Sequence, residues 1–259
     1  MRIRRLASLT ALFALACVGC SGASPSDSQS SESNVTLDVY AAASLNDAFS
    51  EIATLFHEAN PDVRVVLNFA GSATLAQQVR EGAPADIVAL ADAGKMNQLG
   101  ETRDIDISSV TEFARNSLTI VVERGNPKGI STLSDLAAGD IITVLCDIAQ
   151  PCGANAEAVL KKMNVTLSPA SRESNVNGVV QKVSSGEADA GIVYVTDAQA
   201  HDDTLDSVAI PTEANVTNSY PIAIVSDISP TELQAAEKFI SFVANKGSEV
   251  LTRLGFAKP

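Results

Sequence analysis

Thr36-Leu37-Asp38-Val39-Tyr40-Ala41-Ala42-Ala43-Ser44-Leu45-Asn46-Asp47 passes from a β-branched, apolar run into a helical pattern, with only small residues between. Residues 36–41 read as a strand, and Leu45, Phe49, Ile52, Leu55, Phe56 and Ala59 then recur at helical spacing. The order repeats at Phe69-Ala70-Gly71-Ser72-Ala73-Thr74-Leu75, where Gly71 lets the backbone approach a guest and Ser72 or Thr74 can cap a helix. Working outward, residues 63–69, 86–89, 118–122, 141–145, 191–195, 208–210 and 220–225 are further strand candidates. Several are apolar almost throughout, as strands covered on both faces are. Helical stripes recur at Val176, Val179, Val180 and Val183, and again at Leu233, Ala236, Phe239, Ile240 and Val243. This pattern predicts an α/β fold of mostly parallel sheets flanked by helices. The length is large for one such sheet and predicts two lobes, residues 35–116 with 223–259, and residues 117–222. Crossings between them are expected near 113–116 and 215–219.

The N-terminus sets the compartment. Arg2, Arg4 and Arg5 precede an apolar stretch at residues 6–19, the pattern of a cleaved export signal rather than a membrane span. Ala16-Cys17-Val18-Gly19-Cys20 and the Ser/Gly/Pro-rich run to Ser33 resemble a bacterial lipobox and its tether. Residues 1–19 are then the signal peptide and 20–34 the tether. Cys20 is the expected lipid-bearing residue, on the outer face of the cytoplasmic membrane. Cys17 is the alternative, because no leucine stands three places before Cys20. Cys146 and Cys152, the other two cysteines, suit a disulfide in an exported chain and, with no histidine near, make a poor zinc site.

Composition narrows the function further. The net charge of -13 becomes -13 - 3 = -16 once the three signal arginines are removed. Such a surface repels nucleic acid, and a small anion must be held by local dipoles rather than by net charge. His57 and His201 are the only histidines and read as solvated surface residues. No metalloprotease, nucleophile-elbow or phosphate-loop motif occurs, so neither a catalytic residue nor a cation site is expected. Taken alone, Ser44 is an N-cap with Asp47 three residues on. Two such junctions at the C-terminal ends of parallel strands say more. Open α/β sheets bind ligands in that crevice, where helix N-termini present free N–H groups and partial positive charge. Hydroxyls add donors, giving a neutral cradle suited to a fully ionised oxyanion.

Ala42-Ala43-Ser44-Leu45, Gly71-Ser72-Ala73-Thr74-Leu75-Ala76, Gly82-Ala83-Pro84-Ala85-Asp86-Ile87, Gly191-Ile192-Val193-Tyr194 and Leu254-Gly255-Phe256 stand in this order. As a set they resemble the periplasmic molybdate-binding proteins, from about Val35 to the C-terminus. The resemblance implies a two-lobe periplasmic-binding-protein fold, type II-like, that acts as a monomer. It implies a protein that performs no chemistry, needs no cofactor, and passes molybdate or tungstate to the membrane permease of an ABC importer. It also implies five contacts. Ser44 and Ser72 give hydroxyl and backbone N–H, Cys152 and Val176 give backbone N–H, and Tyr194 gives its phenol. The family often has alanine where Cys152 stands. By themselves Val176 and Tyr194 would pass for core residues. The nearest alternative is the same fold holding sulfate, thiosulfate or phosphate. A cell-surface hydrolase is another, and would need a base beside Ser44 or Ser72.

Overall fold

The computed structural model describes residues 35–259, so the signal peptide, the tether and the lipidation readings at Cys17 and Cys20 lie outside the described residues. Strand and helix alternate along the chain: β1 (Val35–Ala42), α1 (Asn46–Ala59), β2 (Val63–Ala70), α2 (Ser72–Arg80), β3 (Ile87–Ala89) and α3 (Ala93–Glu101). The long β4 (Thr111–Glu123) leads to β5 (Thr143–Cys146), α4 (Pro151–Lys162), β6 (Ser171–Glu173) and α5 (Val176–Ser184). β7 (Ala190–Tyr194), α6 (Val195–Ala200), β8 (Leu205–Ala209), β9 (Thr217–Ile224), α7 (Pro230–Ala244) and α8 (Lys246–Arg253) complete it.

The strands form one sheet in the order β2-β1-β3-β9-β4-β7-β5-β6, with β8 also on β4. β1 pairs parallel with β2 and β3, and β5 pairs parallel with β6 and β7. Every antiparallel pair involves β4 or β9. The parallel character thus belongs to the two ends, and the middle is a two-strand antiparallel joint. β4 pairs with β9 from Thr111↔Ile222 to Ser117↔Thr217, then with β7 and β8 further along. The segments expected as crossings therefore lie largely within paired strands, with Ala114 opposite Tyr220 and Asn116 opposite Asn218.

Three apolar clusters fill the space around this sheet. Leu37, Val39, Phe49, Ile52, Phe56 and Phe239 pack on one face of the first end. Leu75, Val88, Leu90, Met96 and Leu99 pack on the opposite face. Ile120, Leu145, Val159, Val179 and Val193 form the core of the second end. The α1 stripe is narrower than its spacing suggested, because Leu55 is 36% exposed and Ala59 is exposed. β6, Ser-Arg-Glu, has no apolar residue, and its pairing with β5 alone makes it a strand. Val195, expected to end a strand, opens α6 instead. Among the described residues no helix is long and apolar enough to cross a membrane.

The ring of Phe239 meets those of Phe49 and Phe56 edge-on, with centroids 6.2 and 5.1 Å away. Phe239→Ala opens a cavity where α7 clamps α1, and is expected to cost about 3–5 kcal/mol. Urea unfolding measures this; a loss under about 1 kcal/mol means that the cluster repacks.

Candidate functional site

A small cavity, about 20 Å³, is lined by Ser44, Ser72, Cys152, Val176 and Tyr194, with Gly71, Ala91 and Gln150 beside them. All five residues singled out from the sequence thus meet at one place. Each stands where a strand gives way to a helix: after β1, β2, β5, β6 and β7 in turn. That is the crevice at the carboxyl ends of strands, where open α/β sheets hold ligands.

The local geometry corrects two capping expectations. Ser44 sits inside a single 3-10 turn, Ala43–Leu45, with no side-chain cap there or at the start of α1. Its Oγ lies 3.0 Å from the Tyr220 hydroxyl instead. The phenol is the more acidic of the two and the better donor, which leaves the Ser44 proton for the cavity. Ser72 is the first residue of α2, with Gly71 at the cap position. Ser72 Oγ accepts from the Ala91 N–H at 2.9 Å, and Thr74 Oγ1 accepts from Gln150 Nε2 at 3.2 Å. Neither hydroxyl caps the helix.

The Cys146–Cys152 disulfide joins the end of β5 to the first turn of α4, with Cα atoms 5.8 Å apart. Pro151 at the helix start has no N–H, so Cys152 and Gly153 carry the first free donors. A Cβ on Gly153 would lie 2.1 Å from the Asp147 carbonyl oxygen, so only glycine fits beneath this loop. Val176 opens α5 after the Asn175 cap and is 3% exposed. Its side chain belongs to the core while its N–H remains free at the helix start, so both readings of Val176 hold at once. Tyr194 ends β7 at 2% exposure, and its hydroxyl accepts from Asn218 Nδ2 at 3.1 Å.

No residue lining the cavity is charged. Its positive character comes from the N-termini of α2, α4 and α5. Burial pushes the phenols of Tyr194 and Tyr220 far up, so both keep their protons. Behind Tyr194, burial raises Asp197 to about 8, against the pull of its hydrogen bond from the Tyr194 N–H and with a push from Asp47. Near neutral pH this acid is protonated, which keeps a negative charge away from the cavity.

Sequence reasoning missed three residues. Gln150 accepts the Ala73 N–H at 3.0 Å and so ties the start of α2 to the cap position of α4. A Cβ on Gly71 would fall 2.3 Å from Gln150 Oε1 and 2.5 Å from the Ser174 carbonyl oxygen, so glycine there admits neighbouring protein as well as any guest. Tyr220 and Asn218 come from β9, whose polar Thr-Asn-Ser start gives no local sign that Asn218 is buried. The histidines stand apart: Nδ1 of His57 lies 3.0 Å from the Val63 carbonyl oxygen, and Nδ1 of His201 lies 3.0 Å from that of Asp197. His201 is half-buried rather than solvated, and lines a wider groove on the other side of Ser44. Among the described residues no group of three or more His, Cys, Asp or Glu could hold a metal ion.

Residues 37–257 match the family described as bacterial extracellular solute-binding protein. The molybdate-binding protein ModA of Mycobacterium bovis is 39% identical over 222 residues, 85% of this chain and 84% of that one. The periplasmic molybdate-binding protein of Azotobacter vinelandii shares the fold at a TM-score of 0.76 and 17% identity, covering 86% of this chain and 99% of that one. The sulfate-binding protein SubI of Mycobacterium tuberculosis shares it at 0.76 and 20% identity, with 86% and 87% covered.

Asp197 gives a pH test. Between its ordinary value of 3.8 and its folded value of about 8, the folded state holds a proton that the unfolded chain releases. Stability therefore falls as pH rises across that window. Asp197→Asn removes this dependence, so the variant should gain in melting temperature over the parent between about pH 5 and pH 9. Parallel curves for the two proteins would mean that the buried acid does not titrate.

Proposed function

The chain belongs to the bacterial extracellular solute-binding proteins, and from that premise we propose that it captures molybdate outside the cytoplasm for the permease of an ABC importer. One observation carries this: five residues from five separate strand-to-helix junctions converge on one small, uncharged, donor-lined cavity. The 39% identical Mycobacterium bovis relative, itself a molybdate-binding protein, supports the choice of anion. In this reading Ser44 and Ser72 donate hydroxyl and backbone N–H, Cys152 and Val176 donate N–H, and Tyr194 donates its phenol. Hydrogen bonds to a charged partner contribute about 1.5–3 kcal/mol each. Six or seven of them reach beyond the roughly 8 kcal/mol of a micromolar complex, even after desolvation of a dianion. Tungstate, alike in charge and shape, is expected to bind comparably. Sulfate is smaller, and donors set around a larger tetrahedron hold it loosely.

Residues 35–116 with 223–259 form one lobe in this proposal and residues 117–222 the other, with the β4–β9 joint as hinge. Gln150 then bridges the lobes when they are closed. The protein acts as a monomer, tethered through lipid on Cys20, or on Cys17 as the alternative. The cleft binds its ligand and performs no chemistry. Neither serine hydroxyl has a histidine partner: Ser44 meets Tyr220 and Ser72 meets the Ala91 N–H, so neither is paired with the base that a hydrolase needs.

Thermal unfolding with molybdate, tungstate, sulfate or phosphate tests the assignment. Molybdate at about 1,000 times its dissociation constant should stabilise the fold by about 4 kcal/mol. Tyr194→Phe should weaken molybdate binding about 10- to 100-fold in calorimetry. A shift with sulfate or phosphate alone would keep the anion site and change its cargo. No shift with any oxyanion would end the proposal.

A further inference from the structure

Asn218 lies on β9, is 8% exposed, and is not among the five residues assigned to the anion. Its Nδ2 donates to the Ala91 carbonyl oxygen and also, at 3.1 Å, to the Tyr194 hydroxyl. Its Oδ1 accepts from Asn155 Nδ2 at 2.9 Å. A backbone carbonyl can only accept, so the amide group beside Ala91 must be the NH₂. The same NH₂ meets Tyr194, and the Tyr194 oxygen must therefore accept. Its single proton cannot point back at an N–H and is left for the cavity that Tyr194 lines. Burial holds that phenol protonated at any ordinary pH.

The second half of the arrangement runs through the same residue. Ala91 takes the Asn218 amide on its carbonyl and gives its N–H to Ser72 Oγ. A backbone N–H can only donate, so Ser72 also accepts from behind and keeps its proton for the cavity. Without Asn218, the Tyr194 hydroxyl could rotate and give its proton to the Ala91 carbonyl or to water.

We propose that Asn218 is a positioning residue: it forces the Tyr194 hydroxyl to donate into the cavity and, through Ala91, braces the Ser72 hydroxyl that does the same. This rests on the cavity being the anion site. An acceptor-rich anion without a proton satisfies such a wall of donors. Hydrogen phosphate sets its own O–H against one of them.

The test is a double-mutant cycle on the full-length protein, read by calorimetric titration with sodium molybdate and with inorganic phosphate. Asn218→Ala should weaken molybdate about 10- to 100-fold in the parent, yet less than about 3-fold in a Tyr194→Phe background. In Asn218→Asp the carboxylate accepts the Tyr194 proton and turns an oxygen lone pair toward the cavity. The preference for molybdate over phosphate should then fall, beyond the equal loss that an added negative charge imposes on both anions. Asn155→Ala, on the half-buried face of α4, leaves Asn218 in place and removes the group that orients its amide, a group that also lies against the Tyr194 hydroxyl. It gives the same cycle with a smaller amplitude if Asn218→Ala fails to fold. Equal losses in the parent and in the Tyr194→Phe background, or an unchanged preference in Asn218→Asp, overturn the role of Asn218. Failure of the unmutated protein to bind molybdate overturns the anion site itself.

Discussion

β4 and β9 run antiparallel for most of β9, and through this single pair the parallel strands at one end of the sheet are joined to those at the other. Everything else follows from how that joint is built. One stretch of it carries Phe113, Ala114, Tyr220 and Ile222 into the apolar core of the first end. Toward the other end of the pairing it instead buries asparagine, Asn116 opposite Asn218, and a buried amide must find partners. Asn116 donates to Thr196 Oγ1, and Asn218 reaches Ala91, Tyr194 and Asn155. The polar end of the joint thus binds groups from both ends of the sheet by hydrogen bonds.

The second organising constraint is electrostatic. A chain of net charge -13 offers a dianion no general attraction. The cavity answers with fixed dipoles: three helix starts, free N–H groups and hydroxyls whose other sides are already occupied. The disulfide, Pro151 and Gly153 together fix the first turn of α4, where the donors of Cys152 and Gly153 begin. Asp197 fits the same logic, because a protonated acid adds no net negative charge.

Much of this was legible in the chain itself. Strands such as β1, β2 and β7 are apolar enough to announce their place, and a small-residue turn before a helical stripe marks where the backbone opens. The five residues that line the cavity were named through the resemblance, because each lies within a local motif at its own junction. Elements held by distant partners were not legible. β6 has no hydrophobic residue, and the polar start of β4 becomes strand only because β9 pairs with it. The capping reading of Ser44 failed because Tyr220, 176 residues away, takes its hydroxyl. Gln150 and Asn218 escaped for the same reason: their meaning lies in a hydrogen-bond partner that no local pattern reveals.

Ala91 spends both of its backbone polar groups on side chains, one on Ser72 and the other on Asn218. Its consequence is one of timing. The hydroxyl rotors of Ser72 and Tyr194 are set when the chain folds, before any guest arrives, so no rotational freedom remains to be lost at the moment of capture. In the proposed cycle the slow event would then be the movement that admits the anion, and the chemistry of recognition would be complete as soon as the anion is inside.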